Sequence, residues 1–370
     1  MARWWNARPS SPSRSLMPLP ANNTGDAQVE PGSVRRSALE AAVEVEIQLT
    51  PQDVLALVSE PLQEVEKVFR RNLESEVPVI AEIGRYIAES GGKRIRPGLL
   101  LLASRACGYE GRRDILYGAV FEFIHTATLV HDDVIDEADC RRGRLSVNSR
   151  WGNTLTILMG DYLYIRSLGM ALVGEDLGIL NLISDITLKM IEGELMQTHA
   201  IGRLDVTEEQ YMEIVTRKTA RLFSGCCETA SVLVERDDWR QPLKAYGHAI
   251  GVAYQMVDDM LDFTSEQEVL GKPVASDLKE GKLTLPVIDL LARRADLRPV
   301  VRHIIEQPED CADAYALLVE ALHREGSLSR ARTMAREHAD AARAAASMLP
   351  PSVYRDALVS LPDLLVSRQS

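Results

Sequence analysis

The chain has 370 residues, of which 46% are hydrophobic and 5% aromatic, and its formal net charge is −12. That hydrophobic content is sufficient for a large packed core and excludes a disordered protein. The negative charge provides no basic field for a polyanion, which excludes nucleic acid as a partner. The five cysteines show no CxxC or Cys/His metal spacing, and their odd number favours a reduced, cytoplasmic protein over a disulfide framework.

The N-terminal segment differs in composition from the rest of the chain. Residues 1–45 are rich in Pro, Ser, Asn and Arg and lack periodic apolar positions, which predicts a disordered tail. One folded domain is expected over residues 46–370. No window of eighteen or more apolar residues occurs, so we expect no transmembrane segment.

From about Leu49 onward the apolar residues follow a helical period, and Gly and Pro mark the turns. The pair Thr50-Pro51 predicts a helix start. Later helices are predicted at 114–136, 153–173, 175–200, 207–233, 239–264, 284–294, 297–306, 311–324 and 327–347. Neither βαβ alternation nor a GxGxxG or GxxxxGK[ST] loop is present, which argues against the common nucleotide folds. The sequence therefore predicts an all-α, single-domain helical bundle around a central cavity.

The segment GGKRIRP, residues 91–97, places three cations after a glycine pair and directly before an apolar helix. Glycines let backbone amides approach an anion, and a helix start adds its positive dipole end. The segment's three cations, Lys93, Arg94 and Arg96, are therefore candidate phosphate ligands. The alternative is a solvated basic turn, and the acidic motifs further along favour the first interpretation.

Two aspartate-rich motifs repeat one pattern 126 positions apart, each inside an apolar helical run: Asp132, Asp133 and Asp136, then Asp258, Asp259 and Asp262. On a helix, carboxylates at i and i+4 lie side by side on one face, where their like charges repel. A bound cation would offset that repulsion, and Mg²⁺ prefers oxygen ligands of this kind. Two such faces across a cavity would clamp a diphosphate.

Several polar residues close to the motifs are candidate ligands for that diphosphate. His125 lies two turns before Asp132 on the same face, whereas for His131 we prefer a core histidine bonded to a backbone carbonyl. Arg141 and Arg142 suit bidentate phosphate contacts, although an RRGR run is often only surface.

Further cations and polar groups accompany the second motif. Lys218, Thr219 and Gln255 would line the cavity, with a helix-surface role as the alternative. The charged loop of residues 271–282 is a candidate lid that brings Lys272 and Lys282 to an anion.

The motifs GGKRIRP, EFIHTATLVHDDVIDEADCRRG, GDYLYIRS, RKTARLF, YQMVDDMLDF and GKPVASDLKEGKLTLP occur in this order. With these motifs in this order, the chain resembles the trans-isoprenyl diphosphate synthases of the polyprenyl synthetase family. Among them it is most similar to the octaprenyl-type long-chain enzymes. The resemblance extends from about Leu49 to near the C-terminus. It implies an all-α fold around a deep cavity, and a homodimer.

The resemblance also implies roles for individual residues. About three Mg²⁺ ions would be held by Asp132, Asp133, Asp136, Asp258, Asp259 and Asp262. Isopentenyl diphosphate would be held by Lys93, Arg96, His125 and Arg142. The allylic diphosphate would be held by Arg141, Lys218, Thr219, Gln255, Lys272 and Lys282. Catalysis would depend on Lys218 and Gln255 together with five of these aspartates, Asp132, Asp133, Asp136, Asp258 and Asp259.

The expected reaction is the condensation of isopentenyl diphosphate with an allylic diphosphate, such as farnesyl diphosphate. The residues one turn before Asp132, Ala127 and Thr128, are small, so a growing chain would pass them toward Phe123, Ile124 and Met159. This predicts a long all-trans product, which we assign to a quinone side chain, with peripheral membrane contact at product release as one option. The alternatives are a short-chain synthase, a terpene cyclase and a non-catalytic helical partner.

Overall fold

A computed structural model describes residues 51–141, 143–264 and 276–367. All of them belong to one compact unit, Leu49–Ser370. The tail expected over residues 1–45, the boundary at residue 46 and the predicted helix cap at Thr50 lie outside the described residues. Among the described residues, no helix combines the length and apolarity needed to cross a bilayer.

The described elements are almost all helices, in this order: α1 (Pro51–Ala56), α2 (Ser59–Asn72), α3 (Pro78–Glu89), α4 (Ile95–Ala106), α5 (Arg113–Ile135), α6 (Val147–Trp151), α7 (Asn153–Val173), α8 (Leu177–Ala200), α9 (Glu208–Val215), α10 (Arg221–Leu233), α11 (Arg240–Thr264), α12 (Ser276–Lys279), α13 (Leu285–Arg293), α14 (Arg298–Glu306), α15 (Ala312–Arg324), α16 (Ser327–Ala346) and α17 (Val353–Val366). A small antiparallel hairpin joins α5 to α6 and consists of β1 (Cys140–Arg141) and β2 (Arg144–Leu145). The all-α prediction is confirmed.

The predicted long helices are confirmed to within a few residues, and the helix predicted at 153–173 coincides with α7. The helix predicted at 207–233 contains a feature that periodicity did not reveal, because a π-helical turn, Thr216–Ala220, separates α9 from α10. Four helices were not predicted from the sequence: α3, α17 and the short helices α6 and α12. Of these, α17 contains Pro362, a residue that normally signals a helix end.

The middle of the fold is formed by helices that are apolar on every side. Four consecutive leucines of α4, residues 99–102, are each fully buried, and α4 packs against α5, α10 and α17. A helix without a polar face has to lie inside the core. The buried position of α4 in turn fixes the position of the segment that precedes it. The basic turn of residues 91–94 is thereby held next to α5.

Two glycines of α11 bring the helices that carry the site into close contact. A Cβ atom at Gly247 would lie 2.5 Å from the carbonyl oxygen of Phe223, and one at Gly251 would lie 2.7 Å from the Cα atom of Ala220. Neither position has room for a side chain. This close packing of α11 against α10 and the π turn places the polar side chains of the turn beside the second aspartate motif.

Candidate active site

The first aspartate motif lies at the C-terminal end of α5. Asp132 and Asp136 line the same cavity, as their spacing of four predicts. Asp133 is only 2% exposed and forms an ion pair with Arg141 of β1. It lines a separate, smaller cavity, so the motif divides its carboxylates between two sides of the helix.

The second motif lies near the end of α11 and uses its carboxylates differently. Asp259 lines the cavity that Asp132 and Asp136 share. The hydroxyl of Tyr211 donates to its Oδ2 atom at 2.7 Å, and the amide of Gln255 donates to its Oδ1 atom at 2.8 Å. Asp258 lines a larger adjoining cavity together with Asp132.

Asp262, the third carboxylate of the second motif, holds a later part of the backbone. The backbone N–H and the hydroxyl of Ser276 each donate to its Oδ1 atom at 3.1 Å, and the N–H of Asp277 donates to Oδ2 at 3.2 Å. Asp262 lines neither of the two cavities. The structure thus gathers Asp132, Asp136, Asp258 and Asp259 around the cavities and leaves Asp133 and Asp262 outside that group.

Burial changes the protonation of these carboxyl groups. It raises the pKa of Asp132 to about 6, although the nearby Lys218 ammonium acts in the opposite direction. Burial and the neighbouring carboxyl of Asp277 raise the pKa of Asp259 above its usual range. Desolvated carboxyls that lie close together favour a bound cation, since a cation restores their charged form.

Three predicted diphosphate ligands line the cavity of Asp132 and already contact carboxylates. Lys282 donates to Asp136 at 2.7 Å, and this pairing raises its pKa even though burial alone lowers it. Lys218 forms an ion pair with Glu194, and Arg141 contacts Asp133. An incoming diphosphate would compete with these carboxylates for the same cations.

The larger cavity has a volume of about 680 Å³ and adjoins the first. Arg96 and His125 line it, as do Thr219 and Gln255, whose side chains are joined by a hydrogen bond of 2.9 Å. Lys93 is exposed and lines neither cavity. Arg142 and Lys272 lie outside the described residues.

His131 contacts a backbone carbonyl, as predicted, but it is not a core residue, because its side chain is 35% exposed and lines the larger cavity. Its Nε2 atom lies 3.1 Å from the carbonyl oxygen of Ile157 on α7. The same atom lies 3.4 Å from a carboxylate oxygen of Asp161. The ring therefore connects α5 to α7 at the edge of the larger cavity.

The direction of the larger cavity differs from the one expected. Phe123, Ile124 and Met159 are fully or almost fully buried in the core and do not line it, so the expected path was wrong. The apolar lining lies between α5, α7 and α8 and consists of Leu129, Val134, Ile135, Ile157, Met190, Ile191 and Leu195. Thr128 is part of the lining, whereas Ala127 is 3% exposed and packs inside the core.

The sequence analysis missed several residues that contact the site. Tyr211 bonds Asp259, while Glu194 and Gln197 of α8 contact Lys218. Tyr211 precedes Lys218 by seven residues, a spacing that places both on one side of a helical run. Glu194 and Gln197 are three apart on α8, a spacing that places both on one face of the helix, and this signal was available in the sequence.

The chain was compared with known proteins. The family model described as polyprenyl synthetase matches residues 77–322. The octaprenyl diphosphate synthase of Escherichia coli (strain K12) is 38% identical over 314 residues, which cover 84% of this chain and 97% of that protein. An all-trans-nonaprenyl-diphosphate synthase (geranyl-diphosphate specific) of Rhodobacter capsulatus is 35% identical and covers 86% of this chain and 98% of its own.

Solved structures of polyprenyl synthases are also similar to this chain. A polyprenyl synthase from Caulobacter crescentus CB15, complexed with calcium and isoprenyl diphosphate, has a TM-score of 0.81 at 31% identity over 87% of this chain and 98% of that one. A decaprenyl diphosphate synthase from Rhodobacter capsulatus has a TM-score of 0.81 at 34% identity over 86% and 99% of the two chains. The similarity therefore covers the described residues nearly from end to end.

Proposed function

Because this chain belongs to the polyprenyl synthetase family, we propose that it is a chain-elongating trans-prenyltransferase. It condenses isopentenyl diphosphate with an allylic diphosphate, such as farnesyl diphosphate, to give a long all-trans polyprenyl diphosphate. One observation carries this proposal: carboxylates from both aspartate motifs and several cations surround two adjoining cavities, the larger of which is walled by apolar side chains. Such a space suits a charged diphosphate at one end and a hydrocarbon chain at the other.

The residues present fit a divalent cation of the Mg²⁺ type. Each motif directs two carboxylates toward the cavities, and Mg²⁺ is usually held by one or two carboxylates together with substrate phosphates. Within the described part of the chain no three acidic, His or Cys side chains form a ready-made ligand set, which agrees with phosphate oxygens completing the coordination. About three ions are proposed, with Asp132, Asp136, Asp258 and Asp259 as the main ligands.

Each group of side chains has a part in the proposed reaction. Lys218, Lys282 and Arg141 hold the allylic diphosphate, with Thr219 and Gln255 beside them, and by resemblance Lys272. Arg96 and His125 hold isopentenyl diphosphate, together with Lys93 and Arg142 by resemblance. Asp132, Asp136, Asp258 and Asp259 would hold Mg²⁺, which would supply positive charge to neutralise the diphosphate and the leaving pyrophosphate.

The bond changes balance without an enzyme-bound intermediate. The allylic C–O bond breaks and its electron pair leaves with pyrophosphate. The alkene of isopentenyl diphosphate then attacks the allylic carbon. One proton is lost from the condensed product to pyrophosphate, which gives an allylic diphosphate one isoprene unit longer. The apolar walls formed by Leu129 and Met190 keep water away from the positively charged allylic carbon that remains when the C–O bond breaks.

The size and direction of the larger cavity support a long product. Thr128 is small and lines it, and beyond Thr128 the lining continues to Ile191 and Leu195. A tyrosine at position 128 would block this route, and one at 127 would have to displace buried neighbours of Ala127. We expect both Thr128→Tyr and Ala127→Tyr to shorten the product in a radiolabelled chain-length assay. An unchanged product distribution in both variants would contradict this account of length.

A homodimer is proposed as the functional state. Large apolar side chains of α7 and α8 that do not line the larger cavity are exposed, among them Leu158, Ile165, Leu172, Val173, Leu177 and Leu188. Exposed apolar surface of this kind is typical of subunit contacts. Sedimentation analysis of the protein and of Ile165→Lys tests the assignment, with a loss of the dimer expected in the variant. A monomeric parent protein would refute it.

The proposed location is the cytoplasm, because all five cysteines are free thiols. The proposed use of the product is the side chain of a quinone, with peripheral membrane contact at its release. The proposed domain comprises residues 46–370.

The decisive experiment is chromatography of the products formed from farnesyl and isopentenyl diphosphates with Mg²⁺. Long polyprenyl diphosphates are expected. A terpene cyclase would consume farnesyl diphosphate when no isopentenyl diphosphate is present. A non-catalytic partner would give no product from farnesyl diphosphate, with or without isopentenyl diphosphate. Either result would refute the proposal.

A further inference from the structure

Two arginines of the basic segment, Arg94 and Arg96, each lie over a phenylalanine ring but differ in their charged partners. The guanidinium carbon of Arg94 lies 5.0 Å from the centroid of the Phe69 ring, and Arg94 also pairs with Glu66 and Glu122. The guanidinium carbon of Arg96 lies 4.6 Å from the centroid of the Phe223 ring. The Nε atom of Arg96 is buried and has no hydrogen-bond partner among the described residues.

Phe223 is well suited to hold a cation in a fixed place. Its side chain is fully buried on α10, and its backbone is packed against Gly247 of α11. The ring of Tyr254 lies 5.5 Å from it and lines the same cavity as Arg96. The face of an aromatic ring attracts a guanidinium through its quadrupole, and the attraction increases when both groups are removed from water.

The difference between a ring and a carboxylate matters for anion binding. A carboxylate that holds an arginine neutralises it, so a diphosphate would have to displace the carboxylate first. A ring holds the arginine without neutralising its charge. Among the described residues no carboxylate forms an ion pair with Arg96, although the charges of Glu122 and Asp258 act on it over a longer distance. Its charge is therefore less compensated than that of Arg94, which pairs directly with Glu66 and Glu122.

We propose that Phe223 is a positioning residue for the reaction: its ring holds the guanidinium of Arg96 in the cavity, ready to bind the diphosphate of isopentenyl diphosphate. This inference rests on the proposed function, since it takes Arg96 as a ligand of that substrate. Phe223 itself contacts no reacting atom. Its effect should therefore appear in the binding of one substrate and not in the rate of the chemical step.

The test compares Phe223→Leu with Phe69→Leu. Both replace a buried ring under an arginine of the same segment, so both lower the melting temperature by removing similar core volume. Phe223→Leu is expected to raise the KM for isopentenyl diphosphate roughly 3- to 10-fold and to leave kcat and the KM for farnesyl diphosphate within about twofold. Phe69→Leu should leave both KM values within about twofold, because Arg94 keeps its two carboxylates.

A second measurement preserves the shape of the ring. Incorporation of 3,4,5-trifluorophenylalanine at position 223 weakens the quadrupole while it nearly keeps the volume. Titration calorimetry with isopentenyl diphosphate should then show weaker binding than for the unmodified protein. In an Arg96→Ala background the same change should have no further effect, since the ring acts through that arginine.

The outcomes separate this inference from the proposed function. If the parent protein makes no polyprenyl product, the proposed function fails first. If it makes product but Phe223→Leu and the fluorinated ring leave isopentenyl diphosphate binding unchanged, only the role of Phe223 is overturned. An equal rise in the KM values of both substrates would also overturn it, because it would indicate a general loss of structure.

Discussion

The two aspartate motifs have the same spacing but use their carboxylates differently. In the motif on α5, the first and third aspartates line a cavity, and the second is paired with Arg141. In the motif on α11, the first and second aspartates line the cavities, and the third holds the backbone at Ser276. Spacing along a helix fixes which side chains share a face, but the packing of other parts of the chain decides which carboxylates line a cavity.

Loss of a carboxylate that lines the larger cavity should have the largest effect. Asp132→Asn and Asp258→Asn each remove a charge that faces the larger cavity, where the pyrophosphate charge is proposed to develop. We expect kcat/KM to fall roughly 100- to 1,000-fold in each variant. Steady-state assays with saturating Mg²⁺ measure this, and circular dichroism confirms that the fold is kept. Losses below tenfold would show that these two carboxylates are not the functional ones.

The protonation of the cavity carboxyls should make metal binding depend on pH. Burial raises the pKa of Asp132 to about 6 and also raises that of Asp259, whereas both are ordinary in the unfolded chain. The folded, metal-free protein therefore holds these protons more tightly than the unfolded chain does. Its free energy of unfolding consequently falls as the pH rises from the ordinary pKa of an aspartate through the raised pKa values of Asp132 and Asp259. Mg²⁺ needs the deprotonated form, so its stabilising effect should grow over the same range.

This prediction can be checked by measuring melting temperatures with Mg²⁺ and with EDTA. The pH should run from about 5.5 to 8, a range set by the raised pKa values of Asp132 and Asp259. The difference between the two conditions should increase with pH. Asp259→Asn provides the control, since it removes one of the titrating groups and should flatten the dependence. A difference that is the same at every pH would contradict the proposed link between protonation and metal binding.

A smaller effect is expected from the residue that holds Asp259. Tyr211→Phe removes one hydroxyl that donates to this carboxylate and leaves the ring in place. Loss of such a supporting hydrogen bond should weaken Mg²⁺ binding roughly 10-fold. Mg²⁺ titration of activity gives the value. Tyr246→Phe is the matched control, because the buried hydroxyl of Tyr246 has no partner among the described residues; equal effects in the two variants would remove the special role of Tyr211.

The smallest effect on activity is expected at Asp262. Asp262→Ala removes the acceptors for the two backbone N–H groups and the hydroxyl at Ser276 and Asp277. The free energy of unfolding should fall by about 1–3 kcal/mol, while the Mg²⁺ requirement changes less than in Asp258→Asn. Chemical denaturation and Mg²⁺ titration measure the two quantities. A loss of activity as large as that of Asp258→Asn would place Asp262 among the metal ligands after all.

The sequence was sufficient for most of the longer helices and for part of the site. Periodicity located α5, α7 and α11, and the spacing of four put Asp132 and Asp136 on one face. It did not reveal the partners of Asp133 and Asp262, because Arg141 and Ser276 reach them only through the tertiary fold. The direction of the larger cavity was missed for the same reason, since it depends on how α7 and α8 pack beside α5.

The π-helical turn at Thr216–Ala220 has a consequence for engineering this protein. Such a turn contains one residue more than an α-helical turn, so removal of one residue would leave a regular α-helical turn with α9 and α10 near their present orientation. Lys218 and Thr219, which the π turn itself carries, would then shift out of the cavity while Phe223 stayed in the core. This stretch should accept many conservative exchanges of side chain but no change in length.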